Sequence, residues 1–495
     1  MASTLWLVDR SRIVDGRGFC QRSRYLNYHA GPNGYGIARK ATKLPLMTGI
    51  GGHEGLAPVL EWCRDHDDVI QQQLEMCRTN PGGPIPFTLP PALFPFIRAG
   101  IGQALETYQA LVAKRGFAYL SDTEETQYVI REQRFLIEGL IWSWCLDVLP
   151  EILERGRVIE VEMDDTYVIG CTCGLGDGIL SKADHEARDC QGLGLMCKPD
   201  FLLETRTTQE LEYHEFKTTS MDSITFRDKW EVMVQLFAST LDAERRHGRH
   251  VQSIYIHGLV KGRRTGDYNP ETKKYDGGMI KQQSVFSYGY RKPGNPPMER
   301  EEWAAQWEYV DEMGANRRLG KGFKKAGVWE LPDAIVPEGM SKGEFWAQWI
   351  GPEVRRKNLV LIGPLSRQSQ MIEHFIEETL GEEHRWQQGL WELYELAQQL
   401  EKGGGYWVDV WQDPQFQQRL NSIFPRSYEC RRYGARNRCQ FEGICLIREG
   451  TLDPVGSGQF IERRPHHVDE LDQAVDRGLL LPEEGMEEQV EMELP

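Results

Sequence analysis

The chain has 495 residues, of which 40% are hydrophobic, 10% aromatic and 27% charged. This composition can bury a substantial core, and it excludes collagen, coiled-coil and wholly disordered chains. No apolar run approaches the roughly 18 residues that a membrane helix needs, and the first residues lack the apolar stretch of a signal peptide. We therefore expect a cytoplasmic protein with no membrane partner.

The formal net charge of −16 is unevenly distributed along the chain. Residues 466–495 contain ten acidic residues and one basic residue, which is typical of a solvated, disordered tail. The rest of the chain is close to neutral, so net charge neither indicates nor excludes a nucleic-acid partner. Residues 316–327 contain five basic residues and no acid, and they can form either a solvated loop or a phosphate contact.

Helical and strand patterns alternate along the chain. In order, they are a Gly-rich turn at 49–53, an irregular Pro-rich segment at 81–96, a helix at 132–149 ended by Pro150, strands at 158–163, 167–173, 195–204 and 211–217, a helix at 228–246, a strand at 251–261 and a helix at about 368–400. The first of these helices has one apolar face, made by Phe135, Leu136, Leu140, Ile141, Trp144 and Val148. This alternation predicts an α/β core with insertions.

Two carboxylates and a lysine are predicted to meet on one strand pair. A hairpin symmetrical about Thr207 and Thr208 places Asp200 opposite Glu215. Opposed side chains on one sheet face have Cβ atoms about 4.5–5.5 Å apart. Lys217 follows Glu215 by two residues, so it shares the same face.

A divalent cation would explain this arrangement, because two carboxylates at such a distance repel each other unless a cation lies between them. Oxygen ligands suit Mg²⁺ or Mn²⁺, which can polarise a phosphodiester and lower the pKa of a bound water. Lys217 would position or deprotonate that water. The alternative is a surface salt bridge between Glu215 and Lys217. In either case the remaining apolar side chains, Phe201, Leu203 and Phe216, are expected in the core.

Asp200, Glu215 and Lys217 resemble the PD-(D/E)xK nuclease signature. The flanking sequence resembles the RecB-type branch of that superfamily, which includes the four-cysteine iron–sulfur exonucleases of CRISPR-associated and AddB type. Gly49 and His53 match the GxxxH motif of this branch. The resemblance implies a restriction-endonuclease-like core, a central mixed β-sheet flanked by helices. It also implies that His53, Asp200 and Glu215 bind Mg²⁺ or Mn²⁺; otherwise His53 caps a helix or fills a core pocket.

The helix after the lysine strand carries part of a further motif of this branch, Q-x-x-x-Y. Gln235 matches its first residue, whereas position 239 is Ser239 instead of tyrosine. The resemblance implies that Gln235 helps to order the substrate, and a surface position on the helix is the alternative.

Four of the eleven cysteines match the split cysteine set of this branch: Cys20, Cys430, Cys439 and Cys445. Eight residues separate Cys430 from Cys439, where the family commonly has two. Four thiolates suit either an iron–sulfur cluster or zinc, and spacing does not distinguish them. The resemblance implies a 4Fe–4S cluster in a C-terminal Fe–S clasp, with zinc or unligated thiols as the alternatives.

The resulting segments are 1–60 (N-terminal part of the nuclease core), 61–125 (Pro-rich insertion and helices), 126–262 (catalytic core), 263–403 (insertion and helical region), 404–450 (Fe–S clasp) and 451–495 (acidic tail). The resemblance implies a metal-dependent exonuclease that hydrolyses single- or double-stranded DNA in repair or recombination. Its expected partners are recombination, helicase, phage or CRISPR proteins. A non-catalytic DNA-binding or assembly subunit, and a zinc-clasped adaptor, are the alternatives.

Overall fold

The computed structural model of the chain describes residues 5–9, 11–13, 20–31, 34–39, 44–114, 124–171, 180–181, 192–219, 226, 230, 234–261, 268–269, 274–275, 338–349, 352, 355–366, 369–401, 407–427, 439, 441–445, 454–455, 460–463 and 467. In these ranges the protein is mixed α/β, with mixed sheets flanked by helices. The basic run at 316–327 and residues 468–495 of the acidic tail lie outside them. None of the helices described is long and apolar enough to cross a membrane.

The helices of these ranges are α1 (Gln21–Tyr28), α2 (Leu44–Asp65), α3 (Asp67–Arg78), α4 (Phe94–Lys114), α5 (Glu124–Asp147), α6 (Leu149–Arg155), α7 (Val234–His247), α8 (Lys342–Trp349), α9 (Ser369–Glu401), α10 (Trp407–Gln412), α11 (Pro414–Ile423) and α12 (Glu442–Cys445). The strands are β1 (Leu5–Asp9), β2 (Ile37–Arg39), β3 (Gly156–Val161), β4 (Asp165–Cys171), β5 (Leu180–Ser181), β6 (Gly192–Cys197), β7 (Phe201–Thr205), β8 (Leu211–Thr219), β9 (Val251–Val260), β10 (Tyr268–Asn269), β11 (Lys274–Tyr275), β12 (Leu359–Ser366) and β13 (Phe460–Glu462).

The central sheet has the strand order β12-β9-β8-β7-β3. β8 and β9 run parallel, and the other neighbours are antiparallel. The β7–β8 register pairs Phe201 with His214 and Glu204 with Leu211, which confirms the predicted hairpin register. The edge strand β12 comes from within the segment 263–403, so part of that segment belongs to this sheet.

Helices α2, α4 and α5 cover one face of the central sheet and share one apolar core with it. Phe201, Leu203 and Phe216 point into this core, as predicted. The predicted apolar face of α5 is buried along its length, and none of its six side chains is more than 3% exposed. The 3.6-residue period of that face therefore located the helix and its orientation correctly.

Helix α7 lies between the central sheet and a second, four-stranded sheet of order β1-β6-β4-β5. Leu236 and Ala243 belong to the apolar cluster of the central sheet. Ala238 and Leu241 belong to the cluster of the second sheet, and Tyr167 of β4 donates to the carbonyl of Ala238 at 3.0 Å. One helix thus holds the two sheets together.

The turn predicted at residues 49–53 is wrong, because these residues lie inside α2. The glycines serve close packing. A Cβ built on Gly51 would lie 2.9 Å from the carbonyl oxygen of Ala104, and one on Gly55 would lie 2.5 Å from Ile141. Any side chain there would push α2 away from α4 and α5, so tertiary packing outweighs the low helix propensity of glycine.

The strand predicted at 195–204 is in fact two strands of different sheets. β6 pairs with β1 and β4, whereas β7 pairs with β3 and β8, and residues 198–200 separate them. The strands predicted at 158–163 and 167–173 exist as β3 and β4, but they also belong to different sheets. Pro150 does not end α5; it lies in the first turn of α6, where a missing N–H is harmless.

The early and late parts of the described chain meet in space. β2 pairs with β13, with Arg39 opposite Phe460. Arg24 of α1 forms a bidentate, fully buried ion pair with Glu383 of α9, with its Nη1 2.6 Å from Oε1. The Arg24 guanidinium also lies 4.0 Å from the centre of the Trp386 ring. These contacts anchor the residues around Cys20 to the C-terminal helices.

Candidate functional site

The predicted catalytic side chains gather at one end of the β7–β8 pair. Asp200 directly precedes β7, and Glu215 and Lys217 lie on β8. His53 lies on α2, one turn beyond Gly49, and its ring edge faces Phe216 with the ring centres 6.1 Å apart. Strand register and helix packing thus bring together residues that are up to 164 positions apart in the sequence.

Asp200 is held from three directions. Its Oδ1 lies 3.4 Å from Nδ1 of His53, and its Oδ2 accepts a hydrogen bond from the backbone N–H of Phe216. Burial raises the pKa of Asp200, but His53, the Lys217 ammonium and the Phe216 amide outweigh burial and bring it well below its usual value. Asp200 is therefore a carboxylate at neutral pH.

Glu215 is fully buried, so its negative charge needs a partner. Lys217 Nζ contacts Oε1, and the Tyr213 hydroxyl donates to Oε2. The Lys217 ammonium also lies 5.7 Å from the centre of the Trp230 ring, a cation–π distance. Lys217 is therefore held between a carboxylate and an aromatic face.

The two carboxylates share the same neighbours. The Lys217 ammonium acts on Asp200 as well as on Glu215, and both carboxylates, after burial, raise the pKa of the Tyr213 hydroxyl well above its usual value. Across the described ranges, however, no three His, Cys, Asp or Glu side chains are grouped closely enough to hold a metal ion in the arrangement shown. The donor chemistry suits a hard cation, while Glu215 is neutralised by Lys217 in this structure.

Tyr213 was not among the predicted site residues. It lies two residues before Glu215 and therefore on the same face of β8, so strand alternation alone could have indicated it. Ser239 of α7 hydrogen-bonds to Tyr213, so position 239 contacts the site through this tyrosine. Gln235 lies in α7, but its side chain is outside the described part of the structure.

Replacing Tyr213 by phenylalanine is expected to lower the free energy of unfolding by about 1.5–3 kcal/mol, because a buried carboxylate loses a hydrogen-bond donor. Urea unfolding at neutral pH measures this change. Tyr394→Phe, on a tyrosine that is 56% exposed on α9, is the matched control and should change stability by less than about 0.5 kcal/mol. Equal stability of both variants would contradict the hydrogen bond to Glu215.

A row of buried rings packs on the face of β8 opposite Glu215. Trp144 Nε1 donates to Nδ1 of His257 at 3.2 Å, so Nε2 carries the proton of the neutral ring and donates to His214 Nδ1 at 2.9 Å. Burial lowers the pKa of both histidines well below its usual value, which keeps them neutral. Phe201 stacks on His214 with ring centres 4.5 Å apart. These hydrogen bonds link α5, β9 and β8, and the β8 residue of the row, His214, is the neighbour of Glu215 in the sequence.

Three of the four cysteines of the predicted clasp belong to the described residues. Cys20 directly precedes α1, Cys445 ends α12, and Cys439 lies three residues before α12. Burial raises the pKa of the Cys445 thiol to about 12; Arg22 opposes this rise, whereas Cys439 and Cys20 add to it. Cys20 and Cys439 thus both act on Cys445, although among the described residues these three cysteines are not grouped closely enough to hold a metal ion in the arrangement shown. Cys430 lies outside the described residues.

A buried arginine connects the elements that carry these cysteines. Arg22 is 1% exposed, and its Nε donates to the carbonyl of Phe424 at 2.9 Å. Its Nη2 donates to Asn421 Oδ1 at 2.6 Å. Burial lowers the pKa of Arg22 to about 10, and the nearby Cys445 and Cys20 thiols oppose this shift. Arg22 favours the thiolate of Cys445, but burial outweighs this effect, so Cys445 is a neutral thiol at pH 7 in this structure.

Comparison of the chain with protein-family models and with curated proteins gives no match. The function proposed for this protein therefore depends on the geometry of the two sites themselves.

Proposed function

We propose that the protein is a metal-dependent nuclease of the PD-(D/E)xK type, built on a restriction-endonuclease-like core, that hydrolyses DNA as an exonuclease. The observation that supports this proposal is the meeting of Asp200, Glu215, Lys217 and His53 at one end of a paired strand hairpin. A surface salt bridge does not account for it, because Glu215 is fully buried and Lys217 lies against Trp230.

In this proposal Asp200, Glu215 and His53 hold Mg²⁺ or Mn²⁺, which when bound polarises the phosphodiester and lowers the pKa of a bound water. Lys217 neutralises Glu215 in the structure. Lys217, held beside Glu215, would position the attacking water or, as the neutral amine, accept its proton. Tyr213 holds Glu215 in place, and Gln235 on α7 helps to order the DNA.

The cysteine site is proposed to hold a 4Fe–4S cluster bound by Cys20, Cys430, Cys439 and Cys445. Cys20 and Cys439 both act electrostatically on Cys445, and thiolates are the usual ligands of such clusters. Zinc is the second candidate for the same ligands. The cluster would clasp the segment before α1 to the segment around α12. Recombination, helicase, phage or CRISPR proteins are the proposed partners, with DNA repair or recombination as the process.

Metal removal tests the catalytic proposal directly. Purified protein is expected to degrade linear DNA with Mn²⁺ or Mg²⁺, to stop when EDTA is added, and to resume with excess Mn²⁺, because the carboxylates need the cation for chemistry. Release of nucleotides from end-labelled single- and double-stranded DNA measures this, with circular DNA as the control for exonuclease action. Cleavage that persists in EDTA would contradict the proposal.

A non-catalytic DNA-binding or assembly subunit is the second candidate. The pairing of Glu215 with Lys217, and the lack of a three-ligand group within the described residues, favour it. DNA binding without cleavage under any divalent metal would select this candidate. The zinc-clasped adaptor alternative needs the strands next to Asp200 and bearing Glu215 not to pair, and the pairing of β7 with β8 argues against it.

A further inference from the structure

A second lysine lies near the same end of the central sheet as Lys217, beyond the carboxyl end of the neighbouring strand β9. β8 and β9 are parallel neighbours, with Lys217 opposite Gly258 and Thr219 opposite Val260. Lys261 follows directly, and its backbone N–H donates to the carbonyl of Thr219 at 2.8 Å. Ligands of open α/β sheets bind beyond the carboxyl ends of such strands. Lys261 therefore lies where a substrate of the proposed nuclease would pass.

The Lys261 side chain lies on the face of the sheet that α2 covers. Side chains alternate along a strand, so Lys261 shares the face of Leu259, which belongs to the core beneath α2. A Cβ built on Gly49 would lie 3.4 Å from Lys261 Nζ and 2.8 Å from Thr218 Oγ1. The ammonium thus lies against the backbone of α2, one helical turn before His53. The absence of a side chain at residue 49 leaves room for it.

The Lys261 ammonium is partly buried and therefore partly desolvated. Burial lowers the pKa of its ammonium to about 8, so most molecules remain charged at pH 7. A partly desolvated ammonium attracts an anion more strongly than a fully hydrated one does. Lysine binds phosphate groups as a point charge, without the fixed fork geometry of arginine. Together these properties fit a phosphate contact.

We propose that Lys261 binds a backbone phosphate of the DNA next to the one that is hydrolysed. This inference rests on the proposed nuclease function. Lys217 and Lys261 then act from opposite faces of the central sheet. Lys217 acts on the attacking water, and Lys261 fixes the position of the DNA strand. Because it contacts the backbone and not a base, Lys261 carries no sequence preference.

The salt dependence of DNA binding tests this assignment, because each lost phosphate contact reduces the slope of log affinity against log salt by about 0.7–0.9. The full-length protein is titrated with fluorescein-labelled single-stranded DNA in EDTA, so that binding is followed without cleavage. Lys261→Met is expected to reduce the slope by about that amount and to weaken binding equally for different sequences. Lys261→Arg should keep most of the slope. Lys342→Met, on α8, is the control and should leave it unchanged.

Gly49→Ala provides a second variant that keeps the lysine. The added methyl group would crowd Lys261 Nζ and Thr218 Oγ1, while alanine itself favours a helix. We expect it to reduce the slope as Lys261→Met does, and thermal melting measures any loss of stability from the close contact with Thr218. If the parent protein cleaves DNA but both variants keep its salt slope, the role of Lys261 is refuted and the nuclease proposal still stands. A parent that neither binds nor cleaves DNA overturns the proposed function as well.

Discussion

Lys217→Ala is expected to lower the rate of DNA cleavage by about 10²–10⁴-fold, the range typical of a lost general acid or base. Lys217 Nζ contacts Glu215 and also acts on Asp200, so it is placed beside both proposed cation ligands. Single-turnover cleavage of end-labelled DNA with Mn²⁺ measures the loss. Asp200→Asn should be impaired to a similar extent, because it removes a charged ligand.

Lys198→Ala is the matched control for this prediction. Lys198 lies two residues before Asp200 and pairs with Glu162 at 3.1 Å, so its loss removes a nearby positive charge without changing the site itself. We expect its cleavage rate to stay within a few-fold of the parent rate. Lys217→Ala also leaves Glu215 buried without its partner, so thermal melting of each variant must accompany the kinetics. A folded Lys217→Ala protein with the parent rate would place the catalytic centre elsewhere.

Cys20→Ala is expected to remove the proposed metal centre and to destabilise the whole protein, although Cys20 lies far from Asp200 in the sequence. A ligand that binds the folded state alone stabilises it by mass action, by about 4 kcal/mol when its concentration is on the order of a thousand times its Kd. Protein purified without oxygen should be brown and should absorb broadly in the visible range if the centre is iron–sulfur. Cys20→Ala, Cys430→Ala and Cys445→Ala should all be colourless and unfold at lower denaturant concentrations.

Cys63→Ala serves as the control, because Cys63 is a fully buried residue of the main core. Its loss should cost only about 1 kcal/mol of packing energy and leave the colour unchanged. Colourless parent protein with one zinc ion per chain would assign zinc to the same clasp. Parent protein that contains neither iron nor zinc, with Cys20→Ala as stable as Cys63→Ala, would refute the clasp.

The parts of the fold that the sequence predicted are those set by local periodicity. The apolar period of α5 and the strand at 251–261 appear where they were expected. The register that brings Asp200 towards Glu215 followed from the length of one short hairpin. Such features depend on neighbours within a few residues, which a sequence displays directly.

The features that the sequence did not predict depend on partners far along the chain. Gly51 resembles a turn residue until α4 is placed against it. Pro199 marks a break inside the strand predicted at 195–204, but only the partners β1 and β3 show that the two halves belong to different sheets. Lys261 follows a predicted strand, but its place beside α2 arises from the parallel pairing of β8 with β9.

The pairing of β2 with β13 has a consequence for how the protein is made. Arg39 and Phe460 are more than four hundred residues apart, and a ribosome synthesises the chain from its N-terminal end. β2 must therefore wait for its partner strand until most of the chain has been translated, whereas β7, β8 and β9 can pair early. A product that stops before β13 would leave β2 with an open edge, which invites pairing with other nascent chains.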